Sequence, residues 1–284
     1  HETVKRVLGR GGKILFPVFA VGRSQEVMVT EQNMGNYGHD PVTAIVESEA
    51  EGEVAEIFSD IRATMGIPML TSIWRTLVAV DGGLAAGWAA AKPLYLSGQP
   101  AIGLDRVLAS ARLPVLEPLD AGQLACVGVT EDEALAVRAI IDAYNRSNGM
   151  NMLALTALFV TPAPASEKSA PAPFPPPWPM LRPLLSKAGI SRDNWIILQS
   201  INSFGGGSAD GGLATLLRHL AHWPGLLALI HASLGPAHRT GELSDAMRGV
   251  HELAQIQARE LANFRCEPVI LPTLAREMIK DYVA

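Results

Sequence analysis

The residues whose types and spacing bear on chemistry are few. Asp210, in Gly207-Ser208-Ala209-Asp210-Gly211-Gly212, reads either as a solvated loop aspartate or helix N-cap, or as a general base. Arg75 reads either as a surface ion-pair partner or as the cation that meets a substrate carboxylate. Asn148 lies in Ser147-Asn148-Gly149, a run that caps a helix or takes a left-handed turn, and that role is compatible with a place in a pocket. His219 and His222 have the spacing of metal ligands on one helical face. With no clear third ligand they are expected to face solvent, and neither a metal nor a cofactor is expected. Cys126 has no nearby catalytic histidine signature and is expected to be a small buried hydrophobe. The absence of a CxxC pair with a histidine argues against peroxidase chemistry.

Composition narrows the context. Hydrophobic residues make up 48% of the 284 and charged residues 18%, a globular balance. A net charge of −5 and the lack of a basic stripe argue against a nucleic-acid partner. No apolar run reaches the ~18 residues of a membrane span, so no membrane partner is expected either. No signal-peptide pattern is seen, and two isolated cysteines do not make a disulfide framework. A cytoplasmic location is the expectation.

The elements that must position these residues are mainly helical. Residues 1–45 differ from the rest: Lys13–Val21 is a dense apolar run and the best strand candidate, and Asn33 to Asp40 read as a loop. From Glu47 the period changes. Val54, Ile57, Phe58, Ile61 and Met65 form one stripe of an amphipathic helix that Gly66 should end, and Pro68 suits the start of the next. That next helix is expected to run through Ile73, Trp74 and Leu77 to Gly82-Gly83, with another following from Leu84. Thr130 and Glu133 make a capping box for a helix burying Val137, Ile140, Ile141 and Tyr144. Ser147-Asn148-Gly149 is expected to break it before a second apolar helix from Met150 to Val160.

Eight prolines between Thr161 and Met180 exclude a helix and suit a polyproline-like linker. Beyond it lie helical patterns over Trp195–Phe204, Leu213–Trp223, Met247–Leu261 and Pro272–Ala284. Breaks and helices recur at an offset of about 140 residues. The expected architecture is all-α: an N-terminal segment (1–45), a first helical repeat (46–160), the linker (161–182) and a second repeat (183–284). A pseudo-twofold arrangement of this kind places a pocket between the halves.

Three stretches carry a family likeness. They are Glu51-Gly52-Glu53-Val54 through Ile61-Arg62 and Ile67-Pro68; Val137-Arg138 through Tyr144-Asn145, Asn148 and Leu153–Leu158; and His222-Trp223-Pro224 with Leu226-Leu227. In order and spacing this resembles the DehI-type 2-haloacid dehalogenases from about residue 47 to 284. The resemblance implies an all-helical fold of two pseudo-repeats with the active site between them. It also implies displacement of halide from 2-haloalkanoic acids of either hand, by water directly and without a covalent ester. In that family an aspartate is the general base and an asparagine positions the reacting groups. The asparagine carries over as Asn148. The aromatic positions of the pocket wall fall on Met69 and Ser72, a tyrosine position falls on Asn151, and the Ser-Asp pair bearing the base falls on Thr215-Leu216. Leu216 cannot accept a proton, so either Asp210 is the substitute base, with Met69, Ser72, Arg75, Asn151 and Thr215 around the substrate, or the chain is a non-catalytic protein of this fold that binds a small acid or a partner. The implied partner is a small carboxylic acid, with homodimer formation left open.

Residues 1–28, through Arg10-Gly11-Gly12-Lys13-Ile14-Leu15-Phe16-Pro17-Val18-Phe19-Ala20-Val21-Gly22-Arg23-Ser24-Gln25-Glu26, resemble instead a piece of the β-CASP metallo-β-lactamase-type ribonucleases. The His-x-His-x-Asp-His zinc run of those nucleases does not occur in this sequence, and no nuclease activity is expected from the segment.

Overall fold

The computed structural model describes residues 45, 47–164, 177–205, 213–266 and 270–284. The strand candidate Lys13–Val21, the β-CASP-like segment, Asp210 and the centre of the Pro-rich stretch lie outside these residues. Among the described residues there are helices and no strands, as expected of an all-α chain.

Helix α1 (Gly52–Met65) buries Phe58, Ile61 and Met65 on its predicted stripe. It ends where expected: Gly66 takes φ +62°, a conformation only glycine adopts cheaply, and its N–H donates to the Arg62 carbonyl. The next helix does not begin at Pro68. The chain bends at Pro68 and Met69, the Leu70 amide donates to the Glu47 carboxylate at 3.1 Å, and α2 (Ser72–Thr76) follows an extended Thr71. After one 3₁₀ turn, Leu77–Ala79, come α3 (Gly83–Leu96) and α4 (Gln99–Ser110).

Helix α5 (Ala121–Cys126) has a capping box of Asp120 and Gln123 and buries none of its residues. Cys126 is therefore exposed, not the buried hydrophobe expected. Helix α6 (Glu131–Ala157) starts at the predicted Thr130–Glu133 box. It then runs without a break through Ser147-Asn148-Gly149, about 40 Å in all. The expected break is not there because these residues are buried for a packing reason. A Cβ on Gly149 would lie 2.5 Å from Cδ1 of Leu104 on α4, so this glycine allows two helices to approach closely.

Beyond the Pro-rich stretch come α7 (Arg192–Phe204), α8 (Thr215–Leu220), α9 (Pro224–Thr240), α10 (Glu242–Leu261) and α11 (Thr273–Val283). Helix α8 is shorter than the predicted Leu213–Trp223: at its start the Ala214 amide donates to Asn202 Oδ1 at 3.1 Å, and past its end Pro224 opens a new helix. Residues 178–185 have no regular structure and are held by side chains. Trp178 Nε1 donates to the Gly66 carbonyl at 3.0 Å, and Arg218 donates to the Leu185 carbonyl. Arg182 pairs with Glu133 at 3.1 Å and lies over the Trp223 ring.

Two apolar cores result, and α6 belongs to both. Val137, Ile140, Ile141 and Tyr144 from its first half pack with α7, α8 and α9. Met150, Leu153, Ala154, Leu155 and Ala157 from its second half pack with α1–α4, the end of α10 and α11. No described helix is long and apolar enough to cross a membrane.

Candidate functional site

Where α6 passes from one core to the other, its buried face turns polar. Tyr144, Ser147, Asn148 and Asn151 fall at i, i+3, i+4 and i+7 and share one side of the helix. All are buried: Ser147 and Asn151 are 0% exposed and Asn148 7%. Asparagine is a poor residue for a helix interior, and two within four positions are tolerated here because their amides are hydrogen-bonded.

Asn151 is held from three directions. Its Oδ1 accepts from Trp74 Nε1 at 3.3 Å and from the Tyr95 hydroxyl at 2.8 Å. Its Nδ2 donates to Thr71 Oγ1 at 2.7 Å. Asn148 Oδ1 accepts from the Tyr282 hydroxyl of α11 at 3.2 Å. Burial pushes the Tyr282 phenol up to about 12, with Asn151 and Thr71 opposing the rise. Burial also raises Tyr95 well above the usual phenol range, and the nearby Tyr282 adds to this. The group of Thr71, Trp74, Tyr95, Asn148, Asn151 and Tyr282 is thus neutral at ordinary pH. Trp74 and Trp88 meet edge to face at 5.5 Å and Trp88 stacks on Tyr95 at 5.6 Å, which walls it on one side.

One turn earlier on α6, Tyr144 faces α8. Its hydroxyl lies 3.4 Å from His219 Nδ1, and His219 Nε2 meets the Arg182 carbonyl. Burial lowers the His219 pKa, the Arg182 carbonyl opposes that, and His222 adds to the lowering. Burial raises the Tyr144 phenol, while Arg75 and Arg218 pull it back. Arg75 of α2 therefore sits close enough to place positive charge at this end of the stripe.

Set against the sequence expectations, the structure brings Asn148, Asn151 and Arg75 to one seam formed by α2, α6, α8 and α11. Ser72 and Thr215 are half-buried first residues of α2 and α8. Met69 is half-buried and packs on the core of α7, α8 and α9. Leu216, at the position of the expected base, is 1% exposed and is a core residue. His219 does not face solvent as expected: it is 5% exposed. His222 Nε2 donates to the Pro183 carbonyl at 2.8 Å, so each ring spends Nε2 on a backbone carbonyl. No group of three possible metal ligands occurs among the described residues. Thr71, Trp74, Tyr95, Tyr144 and Tyr282 were not anticipated. The one signal in the sequence, Tyr144, Asn148 and Asn151 at i, i+4 and i+7, is hidden by the break expected at Ser147-Asn148-Gly149.

No family model and no curated protein matches the chain in sequence. Solved structures do match in fold. A D-2-haloacid dehalogenase mutant superposes with a TM-score of 0.62 at 15% identity, over 85% of this chain and 89% of that one. A D-2-haloacid dehalogenase in complex with L-LA gives 0.53 at 17% identity, over 85% and 92%. A mutant in complex with D-2-CPA gives 0.52 at 15% identity, over 85% and 94%. The chain has a dehalogenase-like all-α fold.

Proposed function

We propose that the chain is a hydrolase of small 2-haloalkanoic or related 2-substituted carboxylic acids, in which water attacks C2 directly. The observation that carries this reading is the buried Asn148 amide at the seam of the two cores, its oxygen held by Tyr282, in a fold shared with D-2-haloacid dehalogenases. With its oxygen committed, the amide has its NH₂ left as donor, the polarity suited to a water oxygen or a carboxylate. Arg75 supplies positive charge for the carboxylate, and apolar walls suit a halogen. In the reaction the water oxygen bonds to C2, the C2–halogen bond breaks with its electron pair on the halide, and the water gives up a proton. Asp210 is the carboxylate candidate for that proton.

A second reading has its own support. Leu216 fills the position of the expected base and is fully packed, which suits a protein that binds a small acid without turning it over. Chloride release from D- and L-2-chloropropionate, by this chain and by its Asp210→Ala variant, separates the two. Release from both enantiomers supports the hydrolase, and its loss in the variant assigns the base to Asp210. No release above buffer, with binding still detected, favours the non-catalytic reading.

A further inference from the structure

We propose that a histidine–tyrosine pair takes the place of the carboxylate base: the Tyr144 hydroxyl receives the proton of the attacking water and passes its own to Nδ1 of His219. The inference rests on the hydrolase reading above and deepens it.

The geometry begins at Leu216. One turn further along α8, on the same face, the next buried side chain able to bind a proton is His219. Its Nε2 faces the Arg182 carbonyl. A carbonyl only accepts, so Nε2 carries the ring hydrogen, and in the neutral ring Nδ1 is left with its lone pair. That lone pair faces the Tyr144 hydroxyl at 3.4 Å, with the rings edge to face at 5.9 Å. Tyr144 is therefore oriented as donor to the ring, and its oxygen lone pairs remain to accept a proton. A 3.4 Å contact is long for a hydrogen bond, as catalytic contacts often are before substrate binds.

The same hydroxyl sits one helical turn before Asn148. Between them in sequence, Ser147 Oγ is wholly buried and has no hydrogen-bond partner among the described residues. Buried hydroxyls are seldom left so, and a water or substrate oxygen at this point on the stripe would satisfy it. The charged and titratable groups acting on the pair are Arg75 on α2, Arg218 on α8 and His222 after it, while Arg182 acts through its backbone carbonyl. None is a carboxylate that would hold the imidazole in its protonated form. Burial keeps the ring neutral, ready to accept.

The step balances. The water oxygen bonds to C2 as the halide leaves with the C2–halogen pair. The water proton goes to Tyr144 Oη, the Tyr144 proton goes to His219 Nδ1, and the imidazolium later releases a proton to solvent. The organic product is the 2-hydroxy acid with C2 inverted.

The test is the pH dependence of chloride release from 2-chloropropionate by the full chain, its Tyr144→Phe variant and its His219→Gln variant. The proposal expects wild-type kcat to fall as acid protonates the histidine. It expects both variants to lose kcat by about 100-fold or more with little change in KM, and the residual rate to lose that acid limb. Tyr144→Phe keeps the ring and its packing, so it decides the matter should His219→Gln fail to fold. Wild-type kcat in Tyr144→Phe, an acid limb that survives in it, or loss of chloride release in Asp210→Ala overturns the proposal while the hydrolase reading stands. No release by the wild-type chain overturns both.

Discussion

The Tyr282 hydroxyl donates to the side-chain oxygen of Asn148 at 3.2 Å, joining residues 134 positions apart in the chain. The bond ties α11 to the middle of α6, the longest helix among the described residues, at the point where the two cores meet. Helix α11 is thereby built into the site.

Replacing Tyr282 with Phe tests that bond. The substitution keeps the ring and removes the donor, leaving a buried amide oxygen short of a partner. A loss of about 1–3 kcal/mol is expected, read as a lower urea midpoint at unchanged slope.

Asn151→Ala should cost more. Three hydrogen bonds end on this amide, and its removal strands Trp74 Nε1, the Tyr95 hydroxyl and the Thr71 hydroxyl in a buried place. A loss of about 3 kcal/mol or more is expected. A loss under about 1 kcal/mol in chemical denaturation would mean that the network relaxes onto other partners.

Gly149→Ala tests why α6 continues through a run that resembles a helix break. The added Cβ meets Leu104, and overpacking of this kind costs about 1–3 kcal/mol. In combination with Leu104→Ala the two losses should sum to less than their separate values, because the smaller side chain makes room for the methyl group. Strict additivity in a double-mutant cycle would contradict the close-approach explanation.

The local signals in the sequence were reliable where local forces decide. Gly66 ends α1, and the Thr130–Glu133 box starts α6, because capping depends on neighbours in the chain. The all-α class followed from periodicity for the same reason. Ser147-Asn148-Gly149 misled because its glycine answers to Leu104, forty-five residues away, and its asparagine to Tyr282. His219 was read as solvent-facing because the segment that covers it, 178–185, has no pattern that predicts where it lies. Asn148 and Arg75 are legible as candidates from the resemblance and from residue type, whereas the tyrosines and tryptophan around them read only as core residues. Their polar ends acquire partners once distant helices meet.

Burial lowers the His219 pKa, and a stability effect follows with a definite sign. In the window just below the ordinary histidine value of about 6.5, the unfolded chain binds a proton that the folded chain refuses, so stability rises with pH there and falls as acid is added. Thermal melts from about pH 7 to about pH 5 should show this decline. His219→Gln should flatten it, and an equal decline in the variant would assign the effect to other groups.

The most direct test of the hydrolase reading is chloride release from D- and L-2-chloropropionate by the wild-type chain beside a folded Asn148→Ala variant. A dehalogenase of the proposed kind releases chloride from both enantiomers, and the variant loses most of that rate, by about 100-fold. Release that persists undiminished in the variant would contradict the role given to Asn148. A wild-type chain that releases no chloride would mean that this fold carries no such chemistry here.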